Sequence, residues 1–340
     1  MREKPNLHDE KIIACLQNEY GLLVVQLTFL PIGWANTAVY RVVADDATLY
    51  FCKLRRDIFD ETSVLLPKFL SDQGIAQIIP PLPTKTAQLW TNLDAFKLIL
   101  YPFVEGRNGF QDELSDRHWR DFGAALKKIH TAVLPPTLIS RIPHEKYSPQ
   151  WREIVKTFLK RVEDDAFADP IKVKSAAFLR ARRDEFLDLV GRAERLAQAL
   201  ASRSPEFILC HSDLHAGNIL IDANDNLFIV DWDNPIFAPK ERDLMFIGGG
   251  VGGIWKKERE AALFYQGYGQ TETDSIALAY YRYERIIEDI AVECEQIFLT
   301  NEGGQDREQA LDYLKSNFLP NSVLEIAYKS DKTSRDGYLP

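Results

Sequence analysis

The sequence is short of the features that define several large protein classes. It has 4 cysteines in 340 residues, and Cys15, Cys52, Cys210 and Cys294 stand far apart with no C-x-x-C pair. That excludes a disulfide framework and a cysteine zinc site, and it suits a reducing compartment. Long apolar runs are also missing: uncharged stretches such as Leu98 to Val104 are far too short for a bilayer, and the opening MREKPNLHDEK has no apolar segment. The expectation is a cytoplasmic protein with no membrane partner. Positive charge is in deficit, 41 Lys and Arg against 50 Asp and Glu, for a net charge of −9. The long-range field therefore repels phosphate backbones and attracts cations, so nucleic acid is not an expected partner. No repeat, low-complexity block or flexible linker occurs, and no protein partner is implied.

Hydrophobic residues make up 46% of the chain, enough for one large core or two moderate ones. Between residues 22 and 54 the runs LLVVQLTFL, TAVYRVV and TLYFCKL, broken by Pro31-Ile32-Gly33 and Asp45-Asp46, predict three strands. A helix is expected from about Asp60 to Gly74, with Pro67 kinking or breaking it. Two further strands are expected around Gln88 to Trp90 and Phe96 to Leu100. Beyond Glu105-Gly106 the period turns helical, with Ser115 as an N-cap, Ser148-Pro149 as an N-cap and first helical position, and a long helix burying Phe186, Val190, Ala193, Ala197 and Leu200. The tail from Lys329 is polar and is expected to be disordered.

One β interruption, residues 206 to 231, breaks the helical half and carries the chemistry. Residues 207 to 231 read FILCHSDLHAGNILIDANDNLFIVD, two short apolar strands around a turn-rich DANDN. Centring the hairpin between Asn224 and Asp225 sets Asn218 opposite Asp231 at its open end. A carboxylate and an amide oxygen there are hard ligands suited to Mg²⁺. Asp213, in the preceding loop, could accept the proton of an attacking hydroxyl. As a bland alternative, an Asp, an Asn and a strand-end Asp are ordinary near turns, but three at this spacing around a hairpin form a strong motif.

The stretch His211-Ser-Asp-Leu-His-Ala-Gly-Asn218, with Asp231 after the hairpin, resembles the aminoglycoside phosphotransferase family and its choline-kinase and fructosamine-kinase relatives. Tyr147-Ser-Pro-Gln-Trp-Arg-Glu, Ile229-Val-Asp-Trp-Asp-Asn-Pro, Ala238 to Gly252 and Glu284-Arg-Ile-Ile-Glu-Asp-Ile-Ala are most similar to the family's spectinomycin phosphotransferases, over roughly residues 12 to 328. The departures from protein kinases are His211-Ser212-Asp213, Asp231-Trp232-Asp233, and only seven residues between Asp231 and Pro239, which leaves no activation loop. The resemblance implies an α+β, two-lobed protein-kinase-like fold, with a β-rich nucleotide-binding lobe over 1–101, a mainly helical catalytic and substrate lobe over 102–340, and ATP and Mg²⁺ between them. It implies Asp213 as base, Asn218 and Asp231 on the metal, Lys53 on the phosphates with Glu61 as the first candidate partner, Gly33 in the phosphate loop, and backbone groups of Tyr101 and Phe103 against adenine. Trp232, Asp233, Glu284, Glu288 and Asp289 are candidates for a cationic acceptor, spectinomycin above all, in an antibiotic-resistance enzyme. The alternatives are a kinase of choline, a sugar or an amino-acid side chain, and a catalytically silent nucleotide-binding module. Gly248, Gly250 and Gly253 match G-x-G-x-x-G, but no βαβ unit surrounds them and they read as a helix end. His211 and His215 read as hydrogen-bonding loop residues rather than metal ligands.

Overall fold

A computed structural model of the chain describes residues 3–32, 36–56, 59–203, 205–301 and 303–336. The strands are β1 (Val24–Leu30), β2 (Thr37–Ala44), β3 (Leu49–Arg56), β4 (Thr91–Leu93), β5 (Phe96–Pro102), β6 (Gly106–Asn108), β7 (Ile208–Cys210), β8 (Ile219–Asp222), β9 (Leu227–Ile229) and β10 (Ile236–Ala238). The helices are α1 (Asp9–Cys15), α2 (Thr62–Asp72), α3 (Asp116–His130), α4 (Pro136–Ile139), α5 (Gln150–Asp164), α6 (Pro170–Ala181), α7 (Arg183–Ala201), α8 (Glu241–Leu244), α9 (Glu258–Tyr268), α10 (Ser275–Phe298), α11 (Gly304–Ser316) and α12 (Val323–Asp336). This is the kinase-like α+β fold, β-rich at the N-terminal end and mainly helical beyond. The chain forms two compact units, and neither is continuous in sequence.

The first unit comprises residues 1–114, 132–142 and 217–235. Its main sheet has the order β1-β2-β3-β5-β4, every neighbouring pair antiparallel. Because side chains alternate between faces, Tyr40, Val42, Cys52, Leu54, Leu98 and Leu100 pack on one face against Ile12 and Leu16. Lys53 belongs to the opposite face, in register between Val39 and Ile99. A strand forms at β4 rather than at the expected residues 88 to 90. Gln88 instead closes a turn with Thr84, the Thr84 amide donating to the Gln88 carbonyl at 2.7 Å and the Gln88 amide donating to Thr84 Oγ1 at 3.1 Å. α2 runs unbroken through Pro67. The proline removes a single donor, that aimed at the Ser63 carbonyl, and the Asp60 carboxylate secures the helix start by accepting from the Thr62 amide at 2.9 Å. A second sheet, β6-β8-β9, carries the hairpin.

The second unit comprises residues 115–131, 143–216 and 236–340. α10 is its central helix, started by Asp274, whose carboxylate accepts from the Ile276 and Ala277 amides. The expected stripe of Ile286, Ile287, Ile290 and Cys294 is buried. Ser115 caps α3 as expected, while α5 begins one residue late, with Pro149 as its N-cap. α3 and α9 cross with backbones almost touching, since a Cβ on Gly267 would lie 1.9 Å from the Arg120 carbonyl oxygen and one on Gly123 would lie 2.1 Å from that of Phe264. The polar tail is ordered through Asp336, contrary to the expectation from Lys329. Two of its polar residues are tied to the helices beneath: Asp331 accepts from Arg192 at 2.7 Å and Ser330 from Arg282 at 2.5 Å. Among the described residues no helix is long and apolar enough to cross a membrane.

Candidate active site

In the first unit β3 presents Lys53 on the face opposite the cluster of Tyr40, Cys52 and Leu98, buried between Val39 and Ile99. Its Nζ lies 2.7 Å from Asp231 Oδ1 and 2.9 Å from both oxygens of Asp233, and Arg55 Nη1 reaches Asp233 Oδ2 at 2.5 Å. Burial alone would lower the Lys53 pKa, but Asp231 and Asp233 outweigh it and hold the ammonium charged. The same burial would raise Asp233, and Lys53 and Arg55 hold it below its ordinary value. Two sequence candidates, Lys53 and Asp231, are thus brought together. Asp233 joins them through cations of its own unit.

Glu61 does not take the expected place beside Lys53. It precedes the first turn of α2 and pairs with Arg141 Nη1 at 2.6 Å. The hairpin also differs by one residue: Ile219 pairs with Ile229 and Ile221 with Leu227, so Asn218 lies opposite Val230, whose amide donates to its carbonyl at 3.0 Å. The turn is closed by the Asp222 amide donating to the Asn226 carbonyl, with Asp225 left-handed at φ 66°. Three residues, Ala223 to Asp225, therefore form the loop, and the centre falls on Asn224. Asp231 follows directly and is itself left-handed at φ 66°. A non-glycine held there stores strain of about 1–3 kcal/mol, a cost that concentrates at functional positions.

The Phe103 amide donates to the Leu49 carbonyl at 3.2 Å. In an antiparallel ladder such groups alternate, so Tyr101, opposite Phe51, also turns its backbone toward β3. The Phe103 amide and, by this alternation, the Tyr101 backbone are thus turned toward β3. The groups that alternation turns away from β3 belong to Pro102 and Val104. Pro102, lacking an N–H, suits a strand position facing away from the neighbour, which fixes the phase of the residues beside it. Trp232 is 4% exposed and donates Nε1 to the Ile229 carbonyl at 3.2 Å, so it is core rather than an acceptor-facing side chain. Gly33 lies outside the described residues.

In the second unit Asp213 follows β7, after Ser212 in the left-handed region at φ 72°. Asp243 braces this loop by its backbone: one carboxylate accepts from the His211 amide at 2.9 Å and the Ser212 amide at 2.6 Å, while His130 Nε2 lies at 2.9 Å. His211 Nδ1 accepts from the Asp213 amide at 3.3 Å. His211 thus has a hydrogen-bonding setting in the loop, while His215 Nε2 lies 3.6 Å from Asp213 Oδ2. Asp213 Oδ1 lies 2.5 Å from Arg285 Nη1, a partner that sequence reading passed over between two acidic candidates on α10. Burial alone would raise the Asp213 carboxyl, but Arg285, with His215 and His211, holds it well below the usual range.

The three acidic candidates of α10 part company. Glu284 is 4% exposed and paired with Arg152 Nη1 at 2.9 Å, while Arg152 Nη2 donates to the Tyr147 and Ser148 carbonyls. It belongs to an internal ion pair, not to a solvent-facing acidic wall. Glu288 and Asp289 remain partly exposed, Glu288 lying 3.7 Å from Arg242 and Asp289 3.0 Å from Arg285 Nε.

Residues 26–278 match the family described as Phosphotransferase enzyme family, APH. The chain is 37% identical to a spectinomycin phosphotransferase, APH(9)-Ia, solved in complex with ADP and spectinomycin, covering 96% of this chain and 100% of that one with a TM-score of 0.89. Protein StrN of Streptomyces griseus is 24% identical over 71% of this chain and 75% of its own length. The choline kinase LicA of Streptococcus pneumoniae shares the fold alone, at 14% identity and a TM-score of 0.57 over 91% of this chain and all of that one.

Proposed function

We propose, from the premise that this chain belongs to the APH phosphotransferase family, that it transfers the γ-phosphoryl group of ATP to a hydroxyl of spectinomycin or a closely related cationic aminocyclitol. It is a phosphotransferase with an alcohol group as acceptor. The observation that carries the active-site reading is the Lys53–Asp231 ion pair at 2.7 Å, on the sheet face opposite the one packed on Ile12 and Leu16. It joins the residue assigned to the phosphates with one assigned to the metal, in a chain whose loop carries Asp213 and Asn218 at the family spacing.

In the reaction the bond from the γ-phosphorus to the β–γ bridging oxygen breaks, a bond to the acceptor oxygen forms, and the hydroxyl proton passes to Asp213 while ADP leaves. Lys53 neutralises phosphate charge, and the Pro102 carbonyl and Val104 amide are the backbone groups offered to adenine. Asn218 and Asp231 fit Mg²⁺ in donor chemistry, one amide oxygen and one carboxylate, and Asp231 is half exposed. When bound, the ion supplies charge neutralisation at the transferred phosphoryl group. Asp231→Ala is expected to weaken nucleotide binding in Mg²⁺ far more than in EDTA. Equal losses in the two titrations would remove it from the ligand set.

The acceptor assignment is supported by the 37% identity across both chains and by the partly exposed Glu288 and Asp289, which suit protonated amines. An ADP-release screen over spectinomycin, other aminocyclitols, aminoglycosides and choline tests it. Turnover is expected with spectinomycin or its near relatives, and expression in a susceptible bacterium is expected to raise tolerance to spectinomycin without comparable protection against kanamycin. Turnover with choline or a sugar but no aminocyclitol would discard the acceptor and leave the phosphotransferase. A protein that binds ATP and turns over nothing would be the silent module.

A further inference from the structure

Arg285 has no role in the chemistry described so far, yet its guanidinium sits on the carboxylate assigned as base. Nη1 lies 2.5 Å from Asp213 Oδ1, Nε lies 3.0 Å from Asp289 Oδ1, and Cζ stands 5.7 Å from the centre of the Phe246 ring. Nη1 is hydrogen-bonded to Asp213, Asp289 adds an ion pair beside Nε without hydrogen-bond geometry, and the side chain is only 18% exposed. A simple structural tie would act on the loop. That task already belongs to Asp243, which holds the backbone amides of His211 and Ser212, whereas the Arg285 contact is with the Asp213 side chain.

We infer that Arg285 is a positioning residue for phosphoryl transfer. By fixing one carboxylate oxygen of Asp213 it sets the plane of the carboxylate and the direction from which the acceptor hydroxyl must present its proton, and Asp289 holds the guanidinium in place for it. Lysine substitutes only in part, because a point charge on a flexible stem lacks the fixed planar geometry of the guanidinium. The inference rests on the reading of Asp213 as base. Misplacing a reacting group by about 1 Å costs about 10²-fold in rate, which sets the size of effect to expect.

The experiment compares wild type with Arg285→Lys, Arg285→Ala and Asp213→Asn, measuring kcat, the KM of ATP and of the acceptor, and the melting curve, with and without millimolar guanidinium ion. Arg285→Lys should lower kcat about tenfold and Arg285→Ala about 100-fold, with the KM of ATP within about twofold. Guanidinium should restore part of the rate in Arg285→Ala and none in Asp213→Asn. A folded Arg285→Lys enzyme with wild-type kcat, a loss of kcat matched by a loss of ATP affinity, or a folded Arg285→Ala enzyme that guanidinium leaves unchanged would each overturn the inference. An active Asp213→Asn enzyme would instead remove the reading beneath it.

Discussion

Asp213 and Glu284 are both carboxylates close to arginines in the second unit, and their surroundings drive them in opposite directions. Asp213 is kept ionised through the physiological range, so it is always able to accept a hydroxyl's hydrogen bond, but as a weak base. In a loose phosphoryl-transfer transition state the proton is surrendered late, and orientation outweighs basicity. Asp213→Asn is therefore expected to lower kcat by about 10²- to 10⁴-fold while leaving nucleotide affinity close to unchanged, measured by steady-state kinetics and a nucleotide titration. A residual rate within a few-fold of wild type would exclude it as base. For Glu284, burial pushes the pKa from 4.5 up to about 7 against the opposing pull of Arg152. The folded-state value is above the unfolded one, so folding takes up a proton, and this group's contribution to stability is present below about pH 4.5 and lost as pH rises to about 7. The melting temperature of wild type relative to Glu284→Gln should accordingly fall between pH 5 and 7. A difference that is flat or rises over that window would contradict the assignment.

Elements were legible where periodicity and chemistry agreed. The alternation in TAVYRVV and TLYFCKL gives β2 and β3, and Ser115 gives the start of α3, since one hydroxyl accepting from the His118 amide is a local event. Where an element depends on a count or a distant partner, the local signal misleads. DANDN announces a turn, but which residue becomes left-handed decides whether two or three residues form it, and that moved the register by one. Pro67 announces a helix break, yet a single lost hydrogen bond is outweighed in a helix that buries Val64, Leu66 and Leu70. The α3–α9 crossing is the case with no sequence signal, since Gly123 and Gly267 are unremarkable until their helices meet. Gly267→Ala forces a methyl group against the Arg120 backbone and is expected to cost about 1–3 kcal/mol, seen as a lower denaturation midpoint. An unchanged midpoint would mean that the two helices separate readily.

At the scale of the molecule, the net charge of −9 and the partly exposed carboxylates of α10 favour a cationic ligand. Charge-dominated recognition is screened by salt, and the Debye length shrinks from about 10 Å at 0.1 M to about 3 Å at 1 M. The acceptor KM should rise over that range, and Glu288→Gln should raise it at low salt with less effect on the KM of ATP. A salt-independent acceptor KM would point to recognition by shape and neutral hydrogen bonds. The chain order of the units matters equally. Residues 217–235, which carry Asn218 and Asp231, belong with the N-terminal sheet, while Asp213, only five positions earlier than Asn218, belongs with the helices.

The sequence by itself determined the reaction class and singled out Asp213, Asn218, Asp231 and Lys53 as its candidates, because the first three are set by spacing within one short segment and Lys53 by its strand. Charge, cysteine spacing and the absence of long apolar runs set the expectations about partners for the same reason: they are properties of the chain, independent of its path. Tertiary structure alone decided the pairings, since a countercharge is chosen by proximity in space. Lys53 meets Asp231 and Asp233 across 178 and 180 positions instead of the nearby Glu61, Glu284 withdraws to Arg152 across 132, and Asp213 receives Arg285 across 72.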